Sequence, residues 1–215
     1  MYLTTISEAV PPPAILEKSR RMTVFADELR RCGYDLASCA KRFGVFPRLG
    51  VNFWHNIHPQ WTPQSEDPVD TLLELLIDGH QVAVDRLRAH VSSAFVDAAI
   101  EMNLAEENGQ FLESKVCLFP CYGKYIATDR AAKNTSINQV MWLWGESFVL
   151  GGLVKRSPRR RAIDLGTGSG VHAILASDHC QQVVAVDINP RAIEFAKFNG
   201  ALNGIDNIEF VLSDL

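Results

Sequence analysis

The sequence predicts an α/β protein in which a mainly helical first part precedes a short parallel βα layer. Three observations predict it. Asp164-Leu165-Gly166-Thr167-Gly168-Ser169-Gly170 is a glycine turn set between two apolar stretches. Val183-Val184-Ala185-Val186 and Ile208–Leu212 are short runs of the kind that form buried parallel strands, and acidic residues follow them, Asp187 and Asp214. Upstream, Met22, Phe25, Leu29 and Cys32 recur at helical spacing.

Taken in order, Ala162, Ile163 and Leu165 read as a short buried strand that runs into the turn, and a helix begins with Val171 to Ala176. Glycines at every second position let the backbone take positive φ and approach a ligand closely. The first N–H groups of the helix have no partner within it, and its dipole adds positive potential, which suits a nucleotide-like ligand. The dinucleotide fingerprint G-x-G-x-x-G needs its third glycine one residue later, where Val171 stands, so a nicotinamide-dependent oxidoreductase is disfavoured. Asp187 follows Asp164 by 23 residues, close to where a carboxylate should accept hydrogen bonds from ribose hydroxyls. Asn189 caps a second helix with Pro190 at its first position, Ile193, Ala196 and Leu202 face the sheet, and Asn203-Gly204 closes it.

The G-x-G-x-G turn after Asp164, the segment Val186–Ile193 continuing through Asn199 and Asn203, and Asp214 resemble the class I S-adenosylmethionine-dependent methyltransferases. Within them the stretch from Arg161 to Leu215 is similar to the release-factor glutamine methyltransferase and methyltransferase small-domain branch, which methylates amide or exocyclic nitrogens of protein or RNA. The resemblance implies a Rossmann-like methyltransferase fold, represented by its first three βα elements in the strand order 3-2-1, and S-adenosyl-L-methionine as cofactor. It places Asp164, Gly166, Thr167, Gly168, Ser169 and Gly170 around the cofactor loop, Asp187 with Ile188 and Asn189 at the ribose, and Ser213, Asp214 and Leu215 beside the adenine. It also implies that Glu146 and Ser147 fold over the methionine end, while the residues alone allow them simply to cap a helix.

The family's catalytic tetrapeptide, Asn/Asp-Pro-Pro-Tyr/Phe, occurs nowhere in the 215 residues, so no catalytic residue is assigned. We expect a truncated methyltransferase, part of a longer protein or one whose other half is supplied from elsewhere, with the first strand left as a bare apolar edge. A nonenzymatic S-adenosylmethionine sensor or partner subunit is the alternative. The methyl acceptor, whether protein, RNA or small molecule, is not legible.

A net charge of −4 and near-neutral hydropathy argue against a nucleic-acid binder driven by basic tails. No apolar stretch reaches membrane-spanning length and the first residues lack a signal-peptide pattern, so a cytoplasmic location is expected, with a homodimer left open. Five cysteines suggest no disulfide framework. Cys117 and Cys121 have a permitted metal-ligand spacing, but no second pair lies near them and nothing brings His55 and His58 to them, so no metal is expected. His172 and His179 read as packing or surface residues.

Three parts are expected: residues 1–135, residues 136–160 connecting over the cofactor pocket, and residues 161–215. In the first, a helix carrying Met22 to Cys32 ends at Gly33, Asp35 caps a second helix through Arg42, and Gly44–Asp67 is an irregular aromatic-rich connection. Another helix spans Pro68–Ile77; helices over Val82–His90 and Ser92–Asn103, then a hairpin over Gln110–Ile126, give a winged-helix-like order. The second of that pair and its exit carry Asp97, Glu101, Glu106 and Glu107, which disfavours DNA. The run Lys155 to Arg161 could touch RNA, and a solvated linker explains it equally well.

Overall fold

Met22, Phe25, Ala26 and Leu29 form the buried stripe of α1 (Arg20–Arg31) at the predicted spacing. Gly33 at φ 70° stops it, and Asp35 caps α2 (Leu36–Arg42) by accepting the Ser38 N–H at 2.7 Å. The computed structural model describes residues 10–16, 20–42, 67–130 and 137–214. Phe46, Phe53, Trp54, Trp61, His55 and His58 of the aromatic-rich connection lie outside the described residues, as does Leu215.

Helix α3 (Pro68–Leu73) starts where Asp67 accepts the Asp70 N–H, and it widens into a π-helical turn, Glu74–Asp78, before Gly79 ends it at φ 77°. The buried Arg130 guanidinium holds that end. It donates to the carbonyls of Leu75, Leu76, Ile77 and Val116, taking up acceptors that a helix terminus leaves unpaired.

The next stretch departs from expectation in two places. Val82–Ala83 is a short strand, β1, and only Val84–Arg88 is helical, as α4. After α5 (Ser93–Glu101), capped by Ser92, there are two hairpins where one was expected over Gln110–Ile126. The first joins β2 (Ala105–Asn108) to β3 (Phe111–Ser114); the second joins β4 (Val116–Cys121) to β5 (Lys124–Asp129). Each turn has a glycine at positive φ, Gly109 at 62° and Gly123 at 82°, which is what a two-residue hairpin turn requires. Strand β1 pairs with β3, giving the order β1-β3-β2.

Strands β6 (Arg159–Leu165), β7 (Cys180–Asp187) and β8 (Ile208–Leu212) form a parallel sheet in that order, crossed by α7 (Val171–Ser177) and α8 (Pro190–Leu202). This is the expected 3-2-1 arrangement. Two corrections apply to β6. It starts at Arg159, so Arg159, Arg160 and Arg161 are strand residues and not a linker. Ile163 and Leu165 are 61% and 54% exposed instead of buried, because β6 pairs only with β7 among the described residues.

One apolar cluster runs from Phe25 and Phe95, stacked at 4.4 Å, through Leu118 and Ile126 of the second hairpin to Phe195 and Phe198 of α8, and a smaller one joins Ala173 of α7 to Cys180, Val183 and Ala185 of β7. Helix α6 (Gly145–Leu153) packs beside α7, and the Tyr122 hydroxyl at the hairpin tip donates to its Phe148 carbonyl at 2.7 Å. Among the described residues, no helix is long and apolar enough to cross a membrane.

Candidate cofactor site

The three glycines between β6 and α7 do different things. Gly166, Gly168 and Gly170 have φ of 68°, 55° and 81°, which only glycine adopts without strain. A Cβ on Gly166 or Gly168 would meet no heavy atom within 4 Å, so these two form an open shelf. A Cβ on Gly170 would stand 2.9 Å from the Ala196 Cβ and 3.1 Å from its Cα. The third glycine therefore seats the turn on α8.

Asp164 and Thr167 hold the turn in shape. Asp164 Oδ2 accepts the Thr167 hydroxyl at 2.7 Å and the Ala173 N–H at 3.0 Å, supplying one of the partners that the first turn of α7 lacks. The Thr167 N–H donates to the Val186 carbonyl at 2.9 Å, which ties the turn to β7. Ser169 is buried.

At the end of β7, Asp187 Oδ2 accepts the Gly168 N–H at 2.8 Å and Oδ1 accepts the Asn189 N–H at 2.9 Å. Each carboxylate oxygen keeps capacity for a further donor, so the group can still receive hydroxyls. Asn189 caps α8 through the Arg191 N–H at 3.0 Å, and its amide donates to the Asn138 carbonyl at 2.9 Å. Ile188 is exposed beside it. The Ser213 N–H donates to the Asp187 carbonyl at 3.0 Å, and Asp214 is exposed at the end of β8.

The turn and the ends of β7 and β8 are thus brought together. Glu146 and Ser147 lie in the first turn of α6, Glu146 exposed and the Ser147 N–H bonded to the Trp144 carbonyl at 3.0 Å. The Asn189 amide instead donates to the connecting segment earlier in the chain, at the Asn138 carbonyl. His172 and His179 line a cleft with Leu150, Val154 and Ile163. Cys117 and Cys121 are buried on β4, where burial pushes both thiols up, Cys121 to about 12.

Residues 157–215 match the family model described as a methyltransferase domain. This segment is similar to that family over about a quarter of the chain. S-adenosylmethionine is the family's methyl donor. The chain is 45% identical over 53 residues to the ribosomal protein L11 methyltransferase of Clostridium perfringens, a match covering 24% of this chain and 17% of that protein. An uncharacterized RNA methyltransferase of Chlorobaculum tepidum is 28% identical over 81 residues, covering 38% of this chain and 16% of its own length. The chain thus covers under a fifth of the length of these curated relatives. Among solved structures, a ribosomal protein L11 methylase of Lactobacillus delbrueckii is 32% identical, with coverage of 34% and 40% and a TM-score of 0.30.

Residues 157–215 also contain two asparagines whose contacts with the second hairpin the sequence did not foretell. Asn199 is fully buried on α8: its Oδ1 accepts the Ala127 N–H at 2.8 Å, and its Nδ2 donates to the Ala127 carbonyl at 2.9 Å and the Ser169 carbonyl at 2.8 Å. Asn203 repeats the pattern one helical turn on, accepting the Tyr125 N–H at 2.9 Å and donating to its carbonyl at 2.7 Å. The available signal was two asparagines four apart on the stripe that carries Phe195, since asparagine is a poor helix former and needs a reason to sit there.

Proposed function

We propose that the chain binds S-adenosylmethionine across the C-terminal ends of β6, β7 and β8, as the cofactor-binding part of an enzyme that methylates an amide or exocyclic nitrogen of protein or RNA. The observation that carries the reading is the Asp187 carboxylate, fixed by the Gly168 and Asn189 N–H groups beside a glycine shelf with open space above it. A nucleoside fits this donor set: a carboxylate with free acceptor capacity for the ribose, and a Cβ-free backbone where the rest of the molecule must pass. Asp214, exposed at the next strand end, is placed to accept from an adenine amino group. The cofactor supplies an activated methyl group; the residues named here bind and orient it, and catalysis rests on holding the donor against its acceptor.

The N-terminal residues support a packing or substrate-presenting role. The order α3, β1, α4, α5, β2, β3 with β1 on β3 supports a winged-helix-like reading. Its third helix, α5, is covered by α1 through the Phe25–Phe95 stack, and it presents Asp97 and Glu101 outward. Phosphates need cations there.

Titration calorimetry of the chain with S-adenosylmethionine tests the reading. Binding that is lost in Asp187→Ala and weakened in Asp214→Ala is the expected result. Unchanged affinity in Asp187→Ala sinks the site assignment.

A further inference from the structure

The second hairpin and α8 meet in an unusual way. In β5, Tyr125 and Ala127 turn their N–H and C=O groups away from β4, so they present an unpaired strand edge. Helix α8 pairs with that edge through side chains. Four helical residues rise about 6 Å and two strand residues about 6.7 Å, so amides at 199 and 203 address alternate residues of the strand. Each asparagine makes the donor and acceptor pair that a neighbouring strand would make.

The two are not equivalent. The second Nδ2 hydrogen of Asn203 goes to the Asn199 carbonyl inside the helix, at 2.7 Å. That of Asn199 goes to the Ser169 carbonyl in the glycine turn. One buried amide therefore joins Ala127 of the hairpin to the peptide between Gly168, whose N–H holds Asp187, and Gly170, which seats the turn on α8.

We infer that Asn199 is a positioning residue that couples the hairpin to the cofactor turn, so that hairpin docking sets the geometry of the Gly168–Asp187 pair. The inference rests on the proposed cofactor site and names how that site is held. Asn203 is its internal control, because it docks the same hairpin with the same chemistry and does not touch the turn.

The test compares S-adenosylmethionine affinity and urea stability in the chain, in Asn199→Ala and in Asn203→Ala. Both variants lose stability. Affinity is expected to fall about tenfold or more in Asn199→Ala, within the usual range of coupling between sites, and to stay within about twofold in Asn203→Ala. Equal affinity losses in the two overturn the inference and leave Asn199 a packing residue. If the unsubstituted chain binds no S-adenosylmethionine, the cofactor reading fails, and the coupling is read without ligand from amide exchange. The Gly168 and Gly170 N–H groups should then exchange faster in Asn199→Ala and not in Asn203→Ala, and equal rates in the two variants overturn the coupling. If Asn199→Ala does not fold, exchange in the unsubstituted chain replaces it. The cofactor should slow the Ala127 N–H more than the Tyr125 N–H; equal slowing overturns the coupling.

Discussion

Arg191 and Asp129 form a bidentate pair between the first turn of α8 and the end of β5, with Nε donating to Oδ2 at 2.8 Å and Nη2 to Oδ1 at 2.5 Å. The carboxylate is 2% exposed and also accepts the Val140 N–H at 2.8 Å, so it anchors the start of the connecting segment as well. Removing the guanidinium takes the bidentate partner away from a buried charge. Arg191→Met is therefore expected to cost about 3–5 kcal/mol, while the double variant Arg191→Met/Asp129→Leu recovers much of it. Urea unfolding with an unchanged slope is the measurement, and a single variant within about 1 kcal/mol of the parent would show that the pair is solvated.

The glycines of the turn should separate stability from binding. Gly170→Ala forces a methyl group to within 2.9 Å of Ala196 at φ 81°, so it strains the backbone and pushes the turn off α8. Gly168→Ala meets empty space and carries only the left-handed backbone penalty, about 1–2 kcal/mol. Gly170→Ala should therefore melt at the lower temperature. Gly168→Ala should stay folded and lose S-adenosylmethionine binding, because its methyl group occupies the shelf. The reverse order of melting temperatures would contradict the division of roles.

What was legible in the sequence follows from how local each signal is. The caps are local, and Asp35, Asn189, Gly33 and Gly79 all stand where a single chain segment predicts them. The parallel layer was legible because β7 and β8 are short apolar runs with an acidic residue after each. The two hairpins were merged into one because Lys115 alone separates β3 from β4, and nothing in that residue marks a break between sheets. The roles of Asn199, Arg191 and Gly170 depend on partners 26 to 72 residues away and could not be read from neighbours.

Buried phenols and thiols make stability fall in alkali. The Tyr34 hydroxyl is fully buried and donates to the Leu118 carbonyl at 2.7 Å, and burial holds its ionisation well above the ordinary tyrosine value. Burial raises Tyr125, Cys39, Cys117 and Cys121 in the same direction. A pKa higher in the folded than in the unfolded chain means that the folded chain keeps protons the unfolded one releases. That stability is complete below the unfolded values and is lost as pH rises through them, from about pH 8.5 for the thiols and about 10 for the phenols. The urea midpoint should be level near neutrality and fall continuously above that range. Tyr34→Phe should lose about 1–3 kcal/mol at pH 7, from the orphaned Leu118 carbonyl, and should show a shallower alkaline fall. An unchanged alkaline slope would remove Tyr34 as a contributor.

The β6 edge should govern behaviour in concentrated solution. Ile163 and Leu165 are more than half exposed on a strand that pairs on one side only among the described residues, and Leu150, Leu153 and Val154 are exposed nearby in sequence on α6 and at its end. An unpaired apolar edge is a template for strand addition, and a lysine on it is a common natural remedy. Ile163→Lys puts a charge where the side chain already meets water, so the stability change should stay within about 0.5 kcal/mol. Light scattering of the parent chain should show mass rising with concentration, and Ile163→Lys should suppress that rise. A parent that stays monomeric at every concentration, or a variant that associates equally, would mean that the edge is shielded by its own backbone geometry, and that Arg159, Arg160 and Arg161 at its start already supply the needed repulsion.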